Sequence, residues 1–330
     1  ELADSLDTLK SVAAQIDRLV GVLSSHGVKA PQLARLVQTL NAQLFARAWK
    51  LIAPPELIAN SCLFVMGSEG RGEQLLKTDQ DNGLVLRDGY VPPADLAGIC
   101  ERFSGALRDF GYPECPGHIM VSNAQWRKPV GEFAQMTRQW LIMPDGDSLM
   151  NLAIFMDAHA VCGDAHLLEA VQRGLMKLAT DNDAMLGRFA AAIDAFGSST
   201  GWWNRLLGLG DTESHLNLKK EGIFPLVHGV RSLALARRVP ATGTAERIAA
   251  LVEAGVLDAA LGDELVQSLH FLMGLRLQAG LAQIDTGRPV TGNVDPERLS
   301  TLERDLLKDA LAVVKRFKAL LHHRLKLDAL

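Results

Sequence analysis

Aromatic residues are scarce in this chain: Phe, Tyr and Trp make up 5% of 330 residues. With so few large rings, the cores are expected to rest mainly on Leu, Ala, Val and Ile. Cysteine is scarcer still. Cys62, Cys100, Cys115 and Cys162 sit in separate segments without a paired framework. That argues against a disulfide-stapled scaffold and for a reducing, cytoplasmic setting. No apolar run reaches the roughly 18 residues needed to span a bilayer, and no signal-peptide pattern is visible, so no membrane partner is expected. Positive charge is also lacking, since 34 Lys and Arg stand against 38 Asp and Glu, a formal net charge of −4. Phosphate-backbone binding needs the opposite balance, so no nucleic-acid partner is expected. The first residue is Glu1 and not Met, and a helical pattern begins at once. We expect the chain to be a piece of a longer protein.

What is present is length enough for two domains, with 48% apolar and 22% charged residues, the balance of a globular protein. Residues 4–26 and 31–53 carry apolar positions at three- and four-residue spacing and read as two helices broken at Gly27 and Pro31. Pro54-Pro55 ends the second. The period then changes. Cys62 to Met66 is a short apolar run bounded by Gly67, as in a buried strand. A glycine-rich polar loop follows, then a second strand at Leu84 to Leu86 and a helix over 94–110. Further strands are expected at Ile119 to Val121 and Leu152 to Met156. Beyond about residue 183 the patterns are helical only, with about five helices in a bundle. Expected breaks fall near Gly197 to Gly201, Gly208 to Gly210, Pro240 to Gly243, Gly255 and Gly287 to Pro296. The expected divisions are 1–54 (N-terminal helices), 55–180 (α/β domain) and 181–330 (bundle).

The chemistry-bearing stretch runs from Phe64 to Leu86. Asp79 and Asp81 are one residue apart, so on an extended chain both carboxylates project from one face. A divalent cation would relieve that repulsion, and Mg²⁺ favours a few carboxylates plus phosphate oxygens. Gly67 and Ser68 follow the first strand, where backbone N–H groups can approach an anion with no side chain intervening. Arg71 and Lys77 lie between the two elements and could neutralise phosphate charge. Alone, an Asp-x-Asp is usually a strand end and a Gly-Ser a loop. The Gly-x-x-Gly-x-Gly spacing of Gly67, Gly70 and Gly72 matches neither the dinucleotide nor the Walker fingerprint. The combination, with its flanking strands, favours a triphosphate site.

Gly67-Ser68, ten intervening residues and Asp79-Gln80-Asp81 resemble the signature of the polymerase-β-type nucleotidyltransferase superfamily. The finer string Gly67 to Glu73, followed by Thr78 to Asn82, resembles the nucleotidyltransferase domain of PII uridylyltransferases. It is closer to a family of signal-transduction nucleotidyltransferases that often follow CBS-pair and cyclic-nucleotide-binding domains. The likeness extends through Cys115 to Trp126, Ile154 to Asp164, Leu218 to Arg231 and Leu299 to Arg304. It implies an α+β fold, with a small mixed β-sheet nucleotidyltransferase domain, flanking helices and an all-α substrate-binding bundle of the kanamycin nucleotidyltransferase kind. It further implies Mg²⁺ or Mn²⁺ on Asp79, Asp81 and a third carboxylate, for which Asp157 is the candidate. An ordinary strand-end Asp is the competing reading of Asp157. Gly67, Ser68, Arg71, Glu73 and Lys77 are the expected nucleotide-binding residues.

Other positions carry two readings each. Asn123 and Trp126 could contact a nucleotide or acceptor, or Trp126 could anchor a loop against the core. Lys219, Lys220, His228 and Arg231 could face substrate, with an interhelix hydrogen bond as the alternative. Cys115, His118, His159 and Cys162 permit a zinc set, though coincidence is the stronger reading. Trp202-Trp203 reads as packing. The expected function is metal-dependent transfer of UMP or AMP from a nucleoside triphosphate to an acceptor hydroxyl, on a regulatory protein, under sensor domains N-terminal to this chain. The alternative is a non-catalytic nucleotide-binding module that relays their signals.

Overall fold

The computed structural model describes residues 4–144, 147–178, 183–197, 216–325 and 327. The chain divides into two compact units, one of residues 1–28 and 32–178, the other of residues 29–31 and 179–330.

The first unit opens with α1 (Leu6–Ser25) and α2 (Ala30–Ile52). Ser5 caps α1 by accepting the Thr8 N–H. The buried stripe of α1 is Leu9, Ala13, Ile16 and Val20, while Leu6 and Val12 of the sequence pattern are each 36% exposed. Pro54 stops α2, and Pro55 opens the short α3 (Pro55–Ala59) at its first position, where a missing N–H costs nothing.

Four strands follow: β1 (Ser61–Val65), β2 (Asn82–Leu86), β3 (Arg127–Pro129) and β4 (His159–Gly163). Their order is β3-β2-β1-β4. β1 runs antiparallel to β2 and β4, and β2 parallel to β3, so the sheet is mixed. Every residue of β1 and β2 is buried, because both faces of the sheet are covered. Such strands read as continuous apolar runs rather than alternating ones. On one face Leu63, Val65, Leu84 and Leu86 pack with α1, α2 and α5 (Leu96–Asp109) through Ile16, Leu44, Trp49, Phe103 and Leu107.

The other face departs from the aliphatic expectation. Phe64 lies 5.9 Å from both Phe133 and Phe155, and Trp140 lies 5.5 Å from Trp126 and 6.4 Å from Phe155, centroid to centroid. Here α6 (Val130–Ile142) and α7 (Ser148–Phe155) cover the sheet with aromatic rings, as Phe45, Trp49, Phe103 and Tyr112 also do on the first face.

Two expected strands are corrected. Ile119, Met120 and Val121 are buried but form no strand, because the chain turns at Pro116-Gly117 and His118 takes a positive φ of 52°. Asn82 holds this segment instead, donating its N–H to the Ile119 carbonyl and accepting the Val121 N–H on Oδ1. β3 takes the place beside β2. The run Leu152 to Met156 lies in and just past α7, with Leu152, Ala153, Ile154 and Phe155 all buried. A short segment buried all round has no period to separate helix from strand. The strand is the next segment, β4. It is followed by α8 (Ala165–Leu178).

The second unit contains, among its described residues, α9 (Asp183–Ala190), α10 (Phe224–Ala236), α11 (Thr244–Glu253), α12 (Ala259–Asp285) and α13 (Thr301–Leu325). Leu226, Val230, Leu265, Leu272 and Phe317 are fully buried in it. Breaks fall between Arg237 and Gly243, at Gly255 and over Gly287 to Asp295, as expected. Gly208 to Gly210 and Trp202-Trp203 lie outside the described residues. No helix among the described residues is long and apolar enough to cross a membrane.

Candidate active site

Strand direction assembles the site. β1 ends where β2 and β4 begin, since Val65 pairs with both Asn82 and His159. The loop leaving β1 therefore shares one sheet edge with Asp79 and Asp81, which precede β2, and with Asp157, which precedes β4. Asp157 reaches that edge from the end of α7 and not from a strand of its own.

The loop opens as a single helical turn, α4 (Gly67–Gly70), whose Gly70 N–H donates to the Met66 carbonyl and whose C-cap Arg71 donates its N–H to the Gly67 carbonyl. Glu69 and Gly70 are buried, whereas Gly67 and Ser68 are half-buried. Gly67 has φ +60°, and a Cβ there would stand 2.7 Å from Asp81 Oδ2. A side chain would thus be strained by backbone conformation and would collide with the carboxylate. Met66 N–H donates to the Asp81 carbonyl at 2.9 Å, extending the β1–β2 ladder to the carboxylate.

The Asp79–Asn82 segment alternates in burial. Gln80 and Asn82 are 4% and 2% exposed, while Asp79 and Asp81 are half-buried. Gln80 donates through Nε2 to the Ser104 and Tyr112 carbonyls. Anchored inward by amides, the segment turns both carboxylates to the opposite side. The Cys115 thiol lies beside Asp81, and burial, then the carboxylate's charge, push its pKa up.

Two half-buried carboxylates one residue apart, next to a glycine whose backbone meets one of them, form a donor set that suits Mg²⁺ or Mn²⁺ completed by phosphate oxygens and water. Among the described residues no three His, Cys, Asp or Glu side chains are grouped so as to hold a metal. The zinc set is therefore not assembled. Asp157 is 0% exposed, and its Oδ2 lies 2.6 Å from Arg71 Nη1. Arg71 also reaches Glu73 Oε2 through Nε at 2.6 Å. Burial alone would lower the Arg71 pKa, but the Glu73 and Asp157 carboxylates outweigh it and the net direction is up. Arg71 and Glu73, two of the residues expected to bind nucleotide, thus engage each other. Lys77 is turned to α1, donating to the Ala13 carbonyl at 3.0 Å and pairing with Asp17 at 2.6 Å. Ser68 Oγ lies 3.5 Å from Gln74 Oε1.

Of the other candidates, Trp126 is 1% exposed against Trp140, so it is a core anchor rather than a base-stacking platform. Asn123 accepts the Gln125 N–H and donates to the His118 carbonyl, which shapes the turn before β3. In the second unit His228 and Arg231 are 1% and 5% exposed. His228 Nε2 donates to the Phe189 carbonyl at 2.6 Å, and its Nδ1 accepts from Arg231 Nη1 at 3.2 Å. That is the interhelix hydrogen bond. Lys219 and Lys220 are half-buried on a π-helical turn, Lys219–Ile223, leading into α10.

One element escaped the sequence reading. Glu69 is 7% exposed and accepts from Asn41 Nδ2 at 3.0 Å, while Asn41 Oδ1 accepts from Tyr112 Oη at 2.7 Å. Burial pushes the Glu69 carboxyl up to about 8, against the opposing pull of Asn41. The available signal was Asn41 itself, a polar residue four after Val37 and four before Phe45 on the apolar stripe of α2.

Two family models match the chain. Residues 14–147 match "Putative nucleotidyltransferase DUF294", and residues 183–325 match "Putative nucleotidyltransferase substrate binding domain". No curated protein matches it. The mixed sheet with its glycine turn against an Asp-x-Asp pair, and the helical unit beyond it, fit the two matches, and the chain belongs to this nucleotidyltransferase family.

Proposed function

We propose that the chain transfers a nucleoside monophosphate, UMP or AMP, from a triphosphate to an acceptor hydroxyl on a regulatory protein. The observation that carries the proposal is the closeness of Gly67 to the Asp81 carboxylate, whose Oδ2 would stand 2.7 Å from a Cβ on Gly67. It brings the loop and the carboxylate pair to one point, as triphosphate binding requires. Asp79 and Asp81 would hold Mg²⁺ or Mn²⁺, which when bound stabilises charge on the attacking and leaving oxygens. Gly67 and Ser68 bound the half-buried surface where phosphate can approach the backbone. The protein's own contribution is to fix donor and acceptor in line. The second unit, matched as a substrate-binding domain, would carry the acceptor, with Lys219 and Lys220 as its basic pair. Sensor domains on the N-terminal side would regulate it.

One observation favours a second reading. Asp157, the candidate third carboxylate, is buried against Arg71, which suits a module that binds nucleotide without turnover. Triphosphates labelled at the α-phosphate, incubated with Mg²⁺, the chain and cell lysate, separate the two. Label transferred to a protein with release of pyrophosphate supports transfer. Binding without release supports the second reading, and absence of binding contradicts both.

A further inference from the structure

We propose that Arg71 and Asp157 form a clamp that fixes the glycine loop, both acting as positioning residues and neither as a ligand of metal or triphosphate. The proposal rests on the reading of this sheet edge as the nucleotide site. One guanidinium spans two carboxylates, with Nη1 on Asp157 and Nε on Glu73, each at 2.6 Å. The side chains of Arg71, Glu73 and Asp157 are 11%, 10% and 0% exposed. For Arg71 to swing to a phosphate it would have to abandon a fully buried carboxylate, and breaking one side of a buried pair is strongly unfavourable. The planar fork is needed for this, since a lysine ammonium cannot present two N–H groups in fixed directions.

The backbone makes the same connection. A Cβ on Gly70 would stand 2.0 Å from the Asp157 carbonyl oxygen and 3.0 Å from that of Val65. Gly70 therefore rests on the main chain of the residue whose side chain holds Arg71. Two residues after Asp157, His159 pairs with Val65 at the end of β1. The path from β1 through Gly70 and Arg71 to Asp157, and by β4 back to β1, is a closed ring. The position of Gly67 against Asp81 is set by it, so Asp157 acts on nucleotide through the loop.

Arg71→Lys, Asp157→Asn and the double variant test this with two readouts. The first is hydrogen exchange of the Gly67–Glu73 amides, which needs no ligand. Each single variant should speed it on the order of a hundredfold, with the amides of α5 unchanged. The second is affinity for Mg²⁺-bound nucleoside tri- and diphosphate. Both should weaken by the same factor, and the double variant should be no worse than the more damaging single one. Should Asp157→Asn fail to fold, Arg71→Lys alone carries both readouts. The clamp is overturned if Arg71→Lys weakens the triphosphate alone, if the losses add, or if Asp157→Asn cuts turnover with loop exchange and affinity unchanged. If the parent protein binds no nucleotide, the functional reading fails, and loop exchange in the variants decides the clamp by itself.

Discussion

Glu69→Gln is the substitution whose consequence can be worked furthest. The carboxyl is buried beneath the loop with its pKa pushed up to about 8 from an ordinary 4.5. Between those values the folded protein holds a proton that the unfolded chain has released. Folding therefore takes up a proton, and stability is full below pH 4.5, falls as pH rises, and levels off above about 8. At about 1.4 kcal/mol per pH unit, the ceiling on the loss is about 5 kcal/mol. Glutamine reproduces the neutral form, since its Oε1 can still accept from Asn41 Nδ2, which meets Glu69 at 3.0 Å. The two proteins should be nearly equal in urea denaturation at pH 5. By pH 9 the variant should be the more stable by about 2–5 kcal/mol. A neutral Glu69 also adds no negative charge under the loop proposed to receive phosphate. Denaturation midpoints of parent and variant that move in parallel from pH 5 to 9 would show that Glu69 is not held protonated by the fold.

Gly67→Ala should cost about 1–3 kcal/mol and weaken Mg²⁺–triphosphate binding, because the new methyl meets the Asp81 carboxylate. Thermal denaturation and calorimetry measure the two effects, and unchanged affinity would disconnect the loop from the carboxylate. Trp126→Ala should cost about 3–5 kcal/mol in stability while leaving the affinity of the folded fraction for nucleotide intact. A selective loss of nucleotide affinity would return Trp126 to the site. His228→Ala should destabilise the second unit by about 2–3 kcal/mol, since the Phe189 carbonyl and Arg231 both lose a partner. Urea denaturation reports it, and loss of acceptor recognition without loss of stability would contradict the interhelix assignment.

The elements that the sequence made plain share a single cause. α1, α2, α11 and α13 each bury one stripe, so their apolar spacing shows, and β1 announces itself by the glycine turn that follows it. The Asp-x-Asp pair was legible because the alternation of Gln80 and Asn82 with Asp79 and Asp81 is written in consecutive residues. Other features depend on partners far apart in the chain. Leu152 to Phe155 is apolar all round because helix α7 is covered on every side, which hides its period. Arg71 and Asp157 are 86 positions apart, and nothing local to either residue says that they pair. Lys77 likewise reaches back to Asp17. Charge near a glycine loop suggested phosphate in both cases, and tertiary packing claimed it first. Trp126 and His228 kept two readings until their burial decided between them.

We propose that Asp79 and Asp81 hold a divalent cation against a triphosphate bound at the Gly67-Ser68 turn. Calorimetry of the Asp79→Asn/Asp81→Asn double variant with a nucleoside triphosphate, in Mg²⁺ and in EDTA, tests it most directly. The parent should bind tightly only with metal, and the variant should bind equally weakly with and without it, since its amides cannot supply the charge Mg²⁺ requires. A variant whose affinity in Mg²⁺ equals that of the parent would contradict the account.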